Sequence, residues 1–319
     1  MKDFHGNHPR FVYYFFKSLD LLQLNVGSAN PTLNRNHVHP IKIVWPPIDD
    51  QRAIATILGA LDDKIELNRR MNETLEAMAR AIFTSWFVDF DPVRAKMEGR
   101  QPFGMDADTA ALFPDSFEDS LIGPIPSGWR VATLPEIIAI NPSRSLRQGG
   151  AAPYLEMSNV PTNSARAVQW ETRSFTSGTK FVNGDTLLAR ITPCLENGKT
   201  AFVDFLNDGQ VGWGSTEYIV LHSKPPLPPE HTYFLARSDN FRRHAIQNMT
   251  GTSGRQRVPT TALSSYSTLV PPAEIARKFG DIASPIMGTM KQRDEESGTL
   301  AALRDTLLPR LLSGAIRAY

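Results

Sequence analysis

The strongest constraint on this chain is that it repeats itself. Val44-Trp45-Pro46-Pro47 returns as Leu269-Val270-Pro271-Pro272, and the same spacing carries forward without a gap. It aligns Arg52 with Arg277, Ile54 with Phe279, Ile57 with Ile282 and Leu61 with Ile286. It continues through Ile65 and Met290, Leu75 and Leu300, Met78 and Leu303, and Ile82 and Leu307. The likeness also runs backward: Val12-Tyr13-Tyr14-Phe15-Phe16-Lys17-Ser18 resembles Thr232-Tyr233-Phe234-Leu235-Ala236-Arg237-Ser238, and Gly27-Ser28 resembles Gly251-Thr252. Chance supplies a Pro-Pro pair but not this many matched apolar positions. The 319 residues therefore read as the tail of one unit, a long segment, a complete unit and a second long segment.

Both long segments have helical spacing. From Asp49 to about Val88 there is no proline and Gly59 is the one glycine. Ile54, Leu61, Asn68, Leu75 and Ile82 form one seven-spaced row. Leu58, Ile65, Asn72, Ala79 and Trp86 form a second, four residues on. Asp49 and Asp50 suit the positive end of a helix, and Pro47 suits its start. The second segment gives Phe279, Ile286, Arg293, Leu300 and Leu307, with Ala283, Met290, Ser297, Arg304 and Leu311 beside them. Pro285, Gly288 and Gly298 should kink or weaken it. A helix of about 40 residues spans roughly 60 Å, more than one small domain covers. The two segments are thus expected to pack on each other as an antiparallel coiled coil. Asn68 and Asn72 would meet Arg293 and Ser297 mid-stripe and fix the register.

Between them lie a linker, Asp89 to Ser120, and a globule that opens at the turn-rich Ile122-Gly123-Pro124-Ile125-Pro126-Ser127-Gly128-Trp129. Asn183-Gly184 between strand formers predicts a hairpin, Asn197-Gly198-Lys199 a second turn, and Tyr218 to Leu221 a further strand. His231 to Gln247 reads as helix. The fold class expected is α+β, one mixed globule with two long helices. The boundaries expected are 1–45 for the partial unit, 46–90 for the first long helix, 91–120 for the linker, 121–270 for the globule and 271–319 for the second helix.

Little in the sequence suggests catalysis. No G-x-x-x-x-G-K-[ST] phosphate loop and no His-Glu-x-x-His helix occur. His37 and His39 alternate in a strand-like stretch and read as structural. Cys194, the single cysteine, excludes an intrachain disulfide and fits a reducing cytosol. Asn141-Pro142-Ser143-Arg144 lacks the aromatic that an amino-methyltransferase loop stacks on its target base. No apolar run of about 18 residues is present to span a membrane. A net charge of +1 argues against a uniformly basic coat, but it is unevenly divided. Residues 123–270 carry 14 Lys and Arg against 10 Asp and Glu, and the rest carries 20 against 23. The basic side chains of the globule fall on turn-rich stretches: Arg144, Arg147, Arg190, Lys199, Arg255 and Arg257, with Asn197 and Gln256 beside them. Arg, Asn and Gln on loops can read base edges, and Lys or Arg on phosphates adds salt-dependent affinity. For any one of these residues a solvated loop is the competing reading.

In this order the strings resemble the specificity (S) subunit of type I restriction-modification systems, over essentially the whole chain. Pro46-Pro47-Ile48-Asp49-Asp50-Gln51-Arg52 is similar to the opening of that family's first conserved helix, and Trp86-Phe87-Val88-Asp89-Phe90-Asp91-Pro92 to its close. Gly123 to Trp129 is similar to the start of a target-recognition domain. Gly184 to Lys199 is similar to that domain's central motif, and Ser215-Thr216-Glu217 to the strand after it. The resemblance implies a non-catalytic reader of double-stranded DNA in the cytoplasm, with the helices as spacer between half-sites. It implies modification (methyltransferase) subunits that bring S-adenosylmethionine, and a restriction (translocase-nuclease) subunit, as partners. It also implies that residues 1–45 match only the end of a first recognition domain, so the chain reads as N-terminally truncated. A second S fragment or another copy of the chain would then complete a full site. Phe11, Tyr14, Phe15 and Phe16 are expected to pack on the part that is not here. Two other classes stay open: the remnant of a fused restriction-methylation enzyme, and a helical scaffold without a DNA role.

Overall fold

The computed structural model describes residues 3–19, 34–38, 40 and 45–317. Gly27, Ser28, His39 and Val44, which entered the repeat or the strand-like reading above, lie outside the described residues. His37 sits in a short helical turn, Arg35–Val38, rather than an extended strand. Two long helices dominate, Ile48–Phe87 and Ala273–Leu312, each of 40 residues. The chain divides into two compact units. Unit 1 comprises residues 1–71 and 292–319, and unit 2 residues 72–291, so each long helix contributes one end to each unit.

In unit 1 the helices pack with numbers rising along one as they fall along the other. Ile54, Ala55 and Leu58 share a core with Leu308 and Leu311. Asp62 pairs with Arg304 at 2.6 Å, and Asn68 Nδ2 donates to Glu296 Oε2 at 2.8 Å and to Ser297 Oγ at 3.3 Å. A third helix, Pro9–Ser18, lies on this pair and buries Phe11 and Tyr14 fully. This corrects the expectation for those two residues. At three residues apart they share the helix face that meets the long helices, whereas Tyr13 and Phe16 stay 55% and 39% exposed. Arg10 crosses Gly59, donating to its carbonyl at 3.0 Å and to both Asp63 oxygens. A Cβ at Gly59 would lie 2.8 Å from that guanidinium, which accounts for a mid-helix glycine that costs about 1 kcal/mol in propensity.

Within unit 2 the two long helices also run antiparallel to each other. Asn72 Nδ2 donates to Met290 O at 3.1 Å, and Ala79, Phe83, Trp86 and Phe87 share a core with Phe279, Ala283, Met287 and Met290. Of the two sequence rows, the one through Leu58, Ala79 and Trp86 is the more deeply buried; Leu61, Leu75, Ile82, Ile286, Leu300 and Leu307 are half-buried. Pro285, Gly288 and Gly298 do not interrupt the second helix. Burial of Ala283, Met287 and Met290 outweighs the loss of one backbone donor at Pro285, whose carbonyl also accepts from Thr289 Oγ1.

The segment after the first long helix is more ordered than a linker. It forms the helices Asp91–Met97 and Ala107–Ala111 and buries Val93 and Phe113. The globule beyond is built on two four-stranded sheets. One has the order Ile138–Ile140, Tyr218–Ser223, Asp185–Ala189, Thr200–Phe202, all antiparallel. The other runs Glu171–Ser174, Ala151–Leu155, Gly212–Gly214, Thr179–Phe181. The Asn183-Gly184 turn therefore joins strands of different sheets, not a hairpin. Asp185 accepts the Val182 N–H at 2.8 Å, and Gly184 N–H goes to Val203 O, so the turn's donors are used without pairing its flanks. In the Gly212-Trp213-Gly214 strand a Cβ at 212 would collide with the Phe181 ring, and one at 214 would meet Tyr218 at 2.5 Å. The helix expected over 231–247 is two, Pro229–Arg237 and Asp239–Gln247, broken where Ser238 caps the second. No helix among the described residues is long and apolar enough to cross a membrane.

Candidate nucleic-acid interface

The first sheet positions the loops that matter. Strand Asp185–Ala189 ends where Tyr218–Ser223 begins, because Ala189 pairs with Tyr218. The turns 190–199 and 215–217 consequently leave the same end of the sheet. A third loop, 250–258, is joined to them by main-chain bonds: Thr192 N to Gln256 O and Val258 N to Arg190 O, both 2.9 Å. Arg190 N also donates to Glu217 O at 2.9 Å. Helix Asp239–Gln247 ties in through Arg242, which donates to Glu196 O at 3.1 Å. Gly198, at φ +77, closes the tight turn between Asn197 and Lys199.

Six of the eight sequence-predicted contact residues meet here: Arg190, Asn197, Lys199, Arg255, Gln256 and Arg257. Their side chains differ in what they can offer. Asn197 and Arg255 are exposed. Arg257 grips the Glu217 carboxylate with Nε at 2.9 Å and a terminal nitrogen at 2.6 Å, and this bonding raises its pKa. The Lys199 ammonium caps two carbonyls, Met157 O at 2.6 Å and Ser158 O at 3.3 Å. Arg190 and Arg242 are half-buried, and each has a buried Nε with no hydrogen-bond partner. Arg242 and Glu217 join the cluster although sequence reasoning did not select them. The Arg242-Arg243 pair just ahead of loop 250–258 was the available signal.

Arg144 and Arg147 lie apart from this cluster. Arg144 reaches Asp185, at the opposite end of the strand from Arg190, with distances of 3.0 and 3.3 Å to its two oxygens. Asp185 is fully buried, and His222 Nδ1 lies 2.7 Å from it. Burial pushes the Asp185 pKa up, against the opposing pull of the Val182 N–H, Arg144 and His222. Arg147 is exposed in a turn closed by Gly150 N–H on its own carbonyl. Asn141, at φ +50, uses its side chain as an extra strand position: Oδ1 accepts from Val220 N at 2.8 Å. Cys194 is a half-buried free thiol. Among the described residues no three His, Cys, Asp or Glu side chains are grouped to hold a metal ion.

Charged and amide side chains thus lie together on three joined loops at one end of the first sheet. The family model described as "Type I restriction modification DNA specificity domain" matches residues 1–77. The MjaIX specificity subunit of Methanocaldococcus jannaschii is 22% identical across 98% of this chain and 70% of its own length. The HindI specificity subunit of Haemophilus influenzae is 24% identical across 90% and 71%. The EcoEI specificity subunit of Escherichia coli reaches 32% over 61% of this chain, which is 34% of that protein. In fold, the crystal structure of the type I restriction-modification S subunit from M. genitalium superposes with a TM-score of 0.53 at 16% identity, covering 95% of this chain and 72% of that one. Along nearly its whole length the chain is thus similar to specificity subunits of type I restriction-modification systems.

Proposed function

We infer that the chain is a sequence-specific DNA-binding specificity subunit, itself non-catalytic, that directs partner methyltransferase and restriction subunits to a site. The observation that carries this is likeness to specificity subunits along nearly the whole chain. Residues 121–270 form the target-recognition domain on this reading. Residues 46–90 and 271–319 form the spacer helices, 91–120 the linker, and 1–45 the counterpart of a recognition domain's end. The joined loops 190–199 and 250–258 face the DNA: Arg255, Gln256 and Asn197 meet bases, and Arg190 meets phosphate. Arg257 and Lys199 hold the loops in shape through Glu217 and the 157–158 carbonyls. Arg144 and Arg147 contribute from the loop 141–150. The modification subunits bring S-adenosylmethionine, and the complex works in the cytoplasm. A second S fragment or a second copy supplies the other half-site.

Mapping methylated adenines in cells that carry the chain with its modification subunits tests the reading. A single recurring motif, absent without the chain, is expected. Methylation that is unchanged when the chain is deleted would refute it.

A further inference from the structure

A fourth segment of unit 2 reaches the end of the first sheet from which loops 190–199 and 215–217 leave. Strand Ala151–Leu155 finishes with Leu155 opposite Gly214, just before Ser215. The chain then runs through 156–164 until Ala165 O accepts from Phe202 N at 2.8 Å. Its middle is pinned, because Val160 is buried and Pro161 O accepts from Thr200 N at 3.3 Å. Three more of its carbonyls accept from cations: Met157 O and Ser158 O from Lys199 at 2.6 and 3.3 Å, and Thr162 O from Arg237 at 3.0 Å. Arg237 is itself seated against Glu76 of the first long helix, with Nε 3.6 Å from the carboxylate. A Cβ at Gly198 would lie 3.6 Å from Thr162 O, so the segment rests against the turn that carries Asn197.

What this held backbone presents is uncharged. Residues 157–165 include no Lys, Arg, Asp or Glu. Ser158 and Thr162 are exposed, and neither hydroxyl bonds to another described residue. Without charge the segment has little to offer phosphates, whose contacts position a protein without reading sequence. A hydroxyl pairs with either a donor or an acceptor on a base edge, and the threonine methyl fits that of thymine. Because the carbonyl bonds already fix the backbone, the two side chains lose little further freedom on contact.

We propose that segment 156–164 is a further base-reading element, in which Ser158 and Thr162 contact base edges beside Asn197. Arg237 is the positioning residue that holds Thr162 in place. The proposal rests on the DNA-reading function inferred above.

Enrichment from a random duplex pool, with the full chain and its modification subunits, tests it. Three proteins are compared: the wild type, the Ser158→Ala, Thr162→Ala double variant, and Arg237→Gln. The wild type should enrich one motif. The double variant should keep that motif but lose about two- to tenfold preference at one or two positions, the worth of one hydrogen bond at each. Its salt dependence should be unchanged, since no charge is removed. Arg237→Gln should relax one of the same positions and no others; a loss spread evenly over the motif would overturn its positioning role. Should Arg237→Gln fail to fold, the double variant decides, because both of its changes are on exposed side chains. The same motif at the same stringency from wild type and double variant overturns the proposal and leaves the DNA-reading function standing. No motif from the wild type overturns both.

Discussion

In unit 1 the ten-residue helix Pro9–Ser18 is fastened to the long helices by polar clamps: Arg10 on Asp63 and Gly59, and Tyr14 on Asp62, which also binds Arg304. In unit 2 the matching helix, Pro229–Arg237, is fastened mainly by rings. Phe234 and His231 join Phe83, Phe87 and Phe279 in one aromatic cluster. The helix has buried polar ties as well: the Tyr233 hydroxyl donates to Glu76 at 2.8 Å, Arg237 pairs with the same carboxylate, and Glu230 accepts from Ser284 Oγ at 2.6 Å. The outer faces differ more. Tyr233 and Ala236 are fully buried, and Phe202 of the first sheet packs on Tyr233 at 6.1 Å. Their counterparts Tyr13 and Phe16 are exposed. One helical position is thus held in two ways. In unit 2 the first sheet covers the helix, which is held by a ring cluster and buried polar groups; in unit 1 the outer face is exposed and half-exposed charged clamps hold the helix.

The largest effect expected from this contrast is in unit 2. Phe279→Ala, at the centre of the ring cluster, should cost about 3–5 kcal/mol in chemical denaturation. Arg304→Ala in unit 1 should cost less, about 1–3 kcal/mol, for leaving Asp62 short of its cation. Equal costs would mean that the two units are not held by different chemistry.

A smaller effect separates two carboxylates by the sign of their pH dependence. Burial pushes the Asp62 pKa up, but the Tyr14 hydroxyl and Arg304 outweigh it and hold the group below the ordinary range. The unfolded chain then binds the proton first, so this stabilisation is present above about pH 4 and is lost as the pH falls through the folded value. For Asp185 burial wins, and the folded pKa is raised. The folded chain binds the proton first, so from about pH 4 up to the folded value stability declines as the pH rises. Thermal melts across this range should show Asp62→Asn flattening the acid limb and Asp185→Asn flattening the opposite slope, each by about 1 kcal/mol or less. The same slope in both variants would contradict the assignment.

Much of this arrangement was legible in the sequence because it rests on periodicity. The long helices, the mid-stripe Asn68 with Ser297, and the clustering of basic residues on turns follow from spacing and turn chemistry. The Asn183-Gly184 turn misled because Asp185, one residue on, supplies by its side chain the bond a hairpin partner would have made. Arg144 looked like a free loop cation because its partner lies 41 residues away. Fusion of loops 190–199 and 250–258 depends on main-chain bonds that carry no sequence signal.

The central claim, that the joined loops of unit 2 select the DNA sequence, is tested most directly by enrichment from a random duplex pool. The chain, with its modification subunits, would be compared with the Arg255→Ala, Gln256→Ala double variant. The wild type should enrich one motif. The variant should lose about 1–3 kcal/mol of discrimination at one or more of its positions while still binding duplex in low salt. Enrichment of the same motif with the same stringency by both proteins would contradict the account.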